Sequence, residues 1–237
     1  MEATEQFAEL CHITDILLGE NGCPWDKAQT HESLRQHLLE ECYEVVDAID
    51  NNDMPALCEE LGDVLLHVLF HSHIANKSGQ ADSFSLADVL RRVSEKLVRR
   101  HTHIFGEELG EDERTDTPDD VEKIWEANKQ KEKPFVSAVD NMLAVPKAMP
   151  ALTRAQKVVK RSEAIPPLED CFAELKNLVN IMEIKAKDAS SDGANMDEVG
   201  KILLLLVMIS TKVQLNAEFS LTNAINTFIN SFECTHR

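Results

Sequence analysis

Tyrosine occurs once in these 237 residues, and aromatic side chains make up only 5% of the chain. Glycine is sparse too, at eight residues, and runs of alternating apolar and polar residues are few. Little is left from which to build a sheet. Basic residues are outnumbered 24 to 42 by acidic ones, for a formal charge of -18, which argues against general binding of nucleic acid or an anionic membrane surface. It does not argue against a phosphate ligand, because a bound cation inverts the local field. No long hydrophobic run is present: the longest, 202–209, is too short to span a bilayer, and the acidic start Met1-Glu2-Ala3-Thr4-Glu5 lacks a secretory pattern. The six cysteines are scattered, with no CxxC pair, which fits neither a disulfide framework nor a zinc knuckle. These absences together predict a soluble protein of a reducing cytoplasm.

What is present is helical. Long stretches rich in Leu, Ala, Glu and Lys carry apolar residues at three- and four-residue spacing, and the expected class is all-α. In the first half the pattern predicts helices over 31–50, 55–76 and 85–101, and a polar helix over 119–133. Asn51-Asn52-Asp53 followed by Pro55 reads as a short turn into a helix, so the first two helices form an antiparallel hairpin. The charged stretch 106–117 reads as a loop, and Pro134, Pro146 and Pro150 as a linker over 134–150. The second half looks like a faded copy of the first. Glu60-Leu61-Gly62-Asp63 aligns with Glu198-Val199-Gly200-Lys201, and Phe84-Ser85-Leu86 with Phe219-Ser220-Leu221. A tandem repeat of one helical unit accounts for this, with boundaries at 1–133 and 151–237 and a looser turn around Ser190-Ser191-Asp192-Gly193 in the second copy.

Acidic residues carry the strongest chemical signal. Glu40-Glu41-x-x-Glu44 lies on the first helix of the hairpin and Glu60-x-x-Asp63 on the second. Residues three apart share a helix face, and a rise of about 1.5 Å per residue sets Glu44 opposite Glu60 and Glu41 opposite Asp63. Converging carboxylates repel and raise one another's pKa unless a hard divalent cation such as Mg²⁺ takes their oxygens. A solvated acidic face is the plain alternative. Against it, Glu60, Asp63, His67 and His71 form a polar stripe through an apolar helix, and such a stripe needs partners. A zinc site on His67, His71 and His73 is a weaker reading, since further spaced ligands are missing. Lys96, Arg99 and Arg100 close the 85–101 helix and suit a polyphosphate, though basic residues there also complement the helix dipole. Trp25, in the Asn21–Lys27 turn, and Trp125 offer either a core cap or a stacking surface for a base.

Taken in order, GCPWDKxQT (22–30), LLEExxE, ELGD and KLxRRHxHxF closely resemble the MazG family of nucleoside triphosphate pyrophosphohydrolases over about 10–130, and 150–157 resembles the start of a second MazG unit. The resemblance implies an all-α bundle that forms a homodimer and hydrolyses NTPs or dNTPs with Mg²⁺ to a monophosphate and pyrophosphate, a role in nucleotide-pool housecleaning. It implies Glu41, Glu44, Glu60 and Asp63 as metal ligands, with Glu40 an additional acid; Lys96, Arg99 and Arg100 as phosphate contacts; and Trp25 and Trp125 bordering the nucleotide. Glu40 or Glu41 is the candidate proton acceptor in catalysis. The second unit departs from this pattern: Lys201 replaces the aspartate, Leu205 continues the stripe, only Ala173-Glu174-Leu175-Lys176-Asn177 remains of the EExxE segment, and Ser231, Cys234 and Thr235 stand opposite the basic trio. It is expected to be catalytically dead. A catalytically inactive helical protein that binds nucleotide without turning it over, or serves interaction, is the alternative reading for the whole chain.

Overall fold

The computed structural model describes residues 2–79, 81–106, 117–132, 137–162, 164–187 and 196–235; the predicted loop over 106–117, apart from its ends, and the 190–193 turn lie outside them. Among the described residues there are twelve helices and no strand. The all-α expectation therefore holds. No single helix among them is long and apolar enough to cross a membrane. The chain divides into two compact units, Met1–Lys129 and Gln130–Arg237.

Unit 1 is organised around a helical hairpin. Helix α3 (His31–Asp50) starts with a reciprocal cap, in which Thr30 Oγ1 accepts from Ser33 N and Ser33 Oγ accepts from Thr30 N. Helix α4 (Met54–Lys77) is capped by Asp53, whose carboxylate accepts from Ala56 N, with Pro55 in the first turn. Between them Asn52 adopts φ 54°, a left-handed conformation that Asn tolerates well, and Asp53 N donates to Ala48 O at 2.9 Å. Helix α1 (Ala3–Leu18), which the sequence reading did not pick out, packs on α4. Its central Thr14 is buried at an otherwise apolar position, with its hydroxyl spent on Leu10 O at 2.8 Å. Leu18, Leu34 and Phe70 form the buried core, with Leu66 and Ile74 against it. The turn from α1 into the short α2 (Pro24–Lys27) runs so close that a Cβ on Gly22 would lie 2.1 Å from Leu17 O. Glycine is required there. Helix α5 (Leu86–Arg100) packs on α4, followed by α6 (Thr102–Phe105) and α7 (Pro118–Glu132).

Unit 2 holds α8 (Ala138–Leu143), α9 (Ala151–Ser162), α10 (Leu168–Lys187), α11 (Met196–Lys212) and α12 (Ala217–Thr235). The stretch read as a linker thus contains a helix, capped by Ser137 and packed on α9, with the following Val145 at 2% exposure. Val159, Val207 and Ala217 make the core. Buried Gln156 ties α9 to the start of α12, donating to Leu215 O at 2.6 Å and accepting from Ala217 N at 3.2 Å. Helices α9, α10 and α12 each pack on α11 as α1, α3 and α5 pack on α4, and α12 packs on α9 as well. The two segments of the sequence repeat behave differently, however. Ser85 caps α5 from outside, whereas Ser220 lies within α12, because Asn216 accepts from Phe219 N and starts that helix earlier.

Candidate functional site

The hairpin brings the predicted acids together. One carboxylate oxygen each from Glu41, Glu60 and Asp63 lie within 4.8 Å of one another, and all three side chains are half-buried. Among the described residues no other group of three His, Cys, Asp or Glu side chains comes this close in the manner of a metal site. Glu44, more exposed, acts on both Glu41 and Glu60 through charge and side-chain contact. The Glu41 carboxyl is pushed above the ordinary glutamate range, first by desolvation and then by Asp63, Glu44 and Glu40. Glu60 moves the same way, by desolvation and then by Glu44, Asp63 and Glu41. The largest charge effects on this pair come from other acids. Four neighbouring carboxylate side chains, two of them with raised pKa, have the chemistry of a hard-cation site, and the residues present fit Mg²⁺.

Glu40 lies outside the trio, although its charge bears on Glu41. Its carboxylate accepts from Gln36 Nε2 at 3.0 Å and sits 3.2 Å from His37 Nδ1. The His37 ring in turn lies 6.5 Å from the indole of Trp25, which is 60% exposed. His37 thus neighbours both Glu40 and an exposed indole. On α4 the polar stripe continues into the core. His67 is 9% exposed, its Nδ1 buried without a hydrogen-bond partner, and its pKa is lowered by burial first and then by His37, against an opposing pull from Asp63. His71 is lowered by burial, then by His31 and His67. The His31 and His71 rings stack at 5.1 Å with their Nδ1 atoms 2.8 Å apart, so one of the two donates to the other. The sequence reading missed His31: nothing local marks a contact forty residues away. His73 leaves the predicted trio altogether and faces Asp15 of α1 at 3.8 Å.

The basic trio sits at the end of α5, with Lys96 and Arg100 half-buried and Arg99 exposed. Arg100 places its guanidinium 5.1 Å over the Trp125 ring, and His101 meets the same indole edge-on at 4.8 Å. Asn128, which the sequence did not single out, is buried beneath them. In unit 2, Glu198 stands at the place of Glu60 in the repeat and is paired with Lys185 at 2.5 Å.

These features define a class: an all-helical protein with a carboxylate cluster on a helical hairpin and a separate basic helix end. Comparison with known proteins narrows it. Residues 29–105 match the family model of the MazG nucleotide pyrophosphohydrolase domain. The nucleoside triphosphate pyrophosphohydrolase/pyrophosphatase MazG of Thermotoga maritima is 34% identical over 98% of this chain and 86% of its own length. The nucleoside triphosphate pyrophosphohydrolase of Escherichia coli K12 is 32% identical over 92% of this chain and 82% of its own. The uncharacterized protein YabN of Bacillus subtilis is 45% identical over 65% of this chain, which spans only 30% of YabN. A crystal structure of a MazG-related protein from Thermotoga maritima is 30% identical, covering 52% of this chain and 98% of that one at a TM-score of 0.42. The chain belongs to the MazG family of nucleoside triphosphate pyrophosphohydrolases.

Proposed function

We propose that unit 1 is a Mg²⁺-dependent site that hydrolyses NTPs or dNTPs to the nucleoside monophosphate and pyrophosphate, in the service of nucleotide-pool housecleaning. The observation that carries this reading is the mutual approach of Glu41, Glu60 and Asp63 within 4.8 Å, with Glu44 acting on both glutamates through charge and side-chain contact. Glu41, Glu44, Glu60 and Asp63 would hold the cation, whose contribution is Lewis-acid stabilisation of charge on the triphosphate. Lys96, Arg99 and Arg100 bind the phosphates and offset the charge of departing pyrophosphate. Trp25, largely exposed, offers its indole face to the base. Water attacks the α-phosphorus, its proton passing to Glu40 or Glu41, and the bond from the α-phosphorus to the α–β bridging oxygen breaks, so that the bridging oxygen leaves with pyrophosphate.

Unit 2 is non-catalytic in this reading and supports packing. Lys185 against Glu198, and Lys201 at the position of Asp63, support that assignment. The boundaries near 133 and 151 stand as the proposed limits of the two MazG-like units. A homodimer is supported by the exposed apolar side chains of Leu39, Tyr43, Val46, Leu61 and Leu65 on the same hairpin, a surface that association would cover; light scattering after gel filtration tests it. A reducing cytoplasm is supported by the scattered cysteines.

The deciding experiment measures pyrophosphate release from a panel of NTPs and dNTPs, with and without Mg²⁺. Glu44→Gln and Asp63→Asn should abolish release while leaving the helical circular dichroism spectrum intact. Full Mg²⁺-dependent release by both variants would refute the site. Nucleotide binding by the wild type without any release would instead favour a binding-only protein.

A further inference from the structure

The basic end of α5 is held by a helix that the sequence does not tie to it. Arg100 is the last residue of α5, and at His101 the backbone turns to φ −98°, ψ 56°, ending the helix. Asn128 of α7, 9% exposed, reads this bend: its Nδ2 donates to Arg100 O at 3.3 Å and to Thr102 Oγ1 at 3.1 Å. One turn earlier on α7, Trp125 carries the Arg100 guanidinium at 5.1 Å from the ring centroid, while His101 packs against the indole at an interplanar angle of 66°. Arg100 is thus fixed at its carbonyl by Asn128 and at its charged end by Trp125. An arginine side chain otherwise loses much rotamer freedom on gripping a phosphate, and ordering it beforehand lowers that cost.

We infer that Trp125 and Asn128 are positioning residues for Arg100, and that Trp125 serves the triphosphate through that guanidinium rather than by stacking on the base. The inference rests on the reading of Arg100 as a phosphate contact. An indole with a guanidinium over it is poorly placed to take a base, whereas the Trp25 side chain is 60% exposed, with the His37 ring tilted and 6.5 Å away. The two tryptophans therefore divide the substrate between them: Trp25 meets the base, and Trp125 acts on the phosphates at one remove.

Inorganic pyrophosphate, which has no base, separates the possibilities when used as an inhibitor of the full-length protein with Mg²⁺. Trp125→Ala and Asn128→Ala should raise the pyrophosphate Ki and the NTP KM together, each by roughly 3- to 30-fold, the range expected for a lost cation–π or buried amide contact. Trp125→Phe, which keeps an aromatic face, should recover most of the loss. Trp125→Ala combined with Arg100→Gln should be no worse than Arg100→Gln alone, since both changes disable one group. A raised KM with unchanged pyrophosphate inhibition would place Trp125 on the base and overturn the inference, as would fully additive losses. If Arg100→Gln leaves pyrophosphate inhibition untouched while turnover persists, the phosphate role of Arg100 fails and the inference falls with it, although the hydrolytic reading of unit 1 still stands.

Discussion

Replacing Glu41 by Gln removes one charge from the acid cluster while keeping the side chain's shape, so its effect on stability should reverse sign with metal. Two unit charges 4.8 Å apart in a water-like medium repel by about 1 kcal/mol, and Glu41 is close enough to Asp63 for this to apply at the least. For a chain of this size, about 1 kcal/mol moves the unfolding midpoint by about 2–4 °C. In EDTA the Glu41→Gln variant should therefore melt about 2–4 °C above the wild type, despite losing a polar group. Mg²⁺ at a hundred times its dissociation constant should add about 2.7 kcal/mol to the wild type, or roughly 5–11 °C, and much less to the variant. Scanning calorimetry across an Mg²⁺ series, following the transition that responds to the ion, reads both effects without any turnover. A variant that melts below the wild type in EDTA, yet gains equally from Mg²⁺, would show that Glu41 neither suffers repulsion nor contacts the ion.

Acidification should act on unit 1 in two opposing ways. His67 and His71 have folded pKa values below the ordinary 6.5, so their neutral forms favour the fold; stability is full above pH 6.5 and falls as pH drops from there through the lowered values. Glu41 and Glu60 are raised above 4.5, so without metal the same drop relieves their repulsion as pH falls through the raised values. Urea melts in Mg²⁺, which suppresses the carboxylate part, should show a loss from pH 6.5 to 5 that His71→Asn reduces; an unchanged slope in that variant would count against His71 as a source of the loss. Ser85→Ala removes the cap at Asp88 N and should cost about 1 kcal/mol, lowering the midpoint by about 2–4 °C. Leu34→Ala empties a site only 3% exposed and should cost about 2–5 kcal/mol by chemical denaturation, with a value under 1 showing that the core closes over the gap.

The hairpin was legible because its determinants are local. The bounds 31–50 follow from the Thr30 cap and the Asn51-Asn52 turn, and the i, i+3 spacing of Glu41–Glu44 and Glu60–Asp63 places each pair on one face without knowledge of the rest of the fold. Helix α1 was harder to see because Thr14 sits at its most buried position, and a hydroxyl bonded to Leu10 O interrupts the apolar rhythm. The prolines at 134, 146 and 150 gave 134–150 the look of a linker and hid α8, although Val145 there is among the most buried side chains. His31 with His71, Arg100 with Trp125 and Lys185 with Glu198 are tertiary meetings between helices. Periodicity tells which face a side chain occupies, not which distant side chain it finds there.

The three-residue turn between α3 and α4 has a consequence out of proportion to its exposure. Its left-handed Asn52 and the bond from Asp53 N to Ala48 O set the phase of one helix against the other. One added residue that lengthened α4 at its start would swing each later side chain by about 100° and shift it by about 1.5 Å, carrying Glu60 and Asp63 away from Glu41. Descendants of this sequence can vary many surface positions freely, but a change in the length of this loop would separate the acids even with every one of them intact.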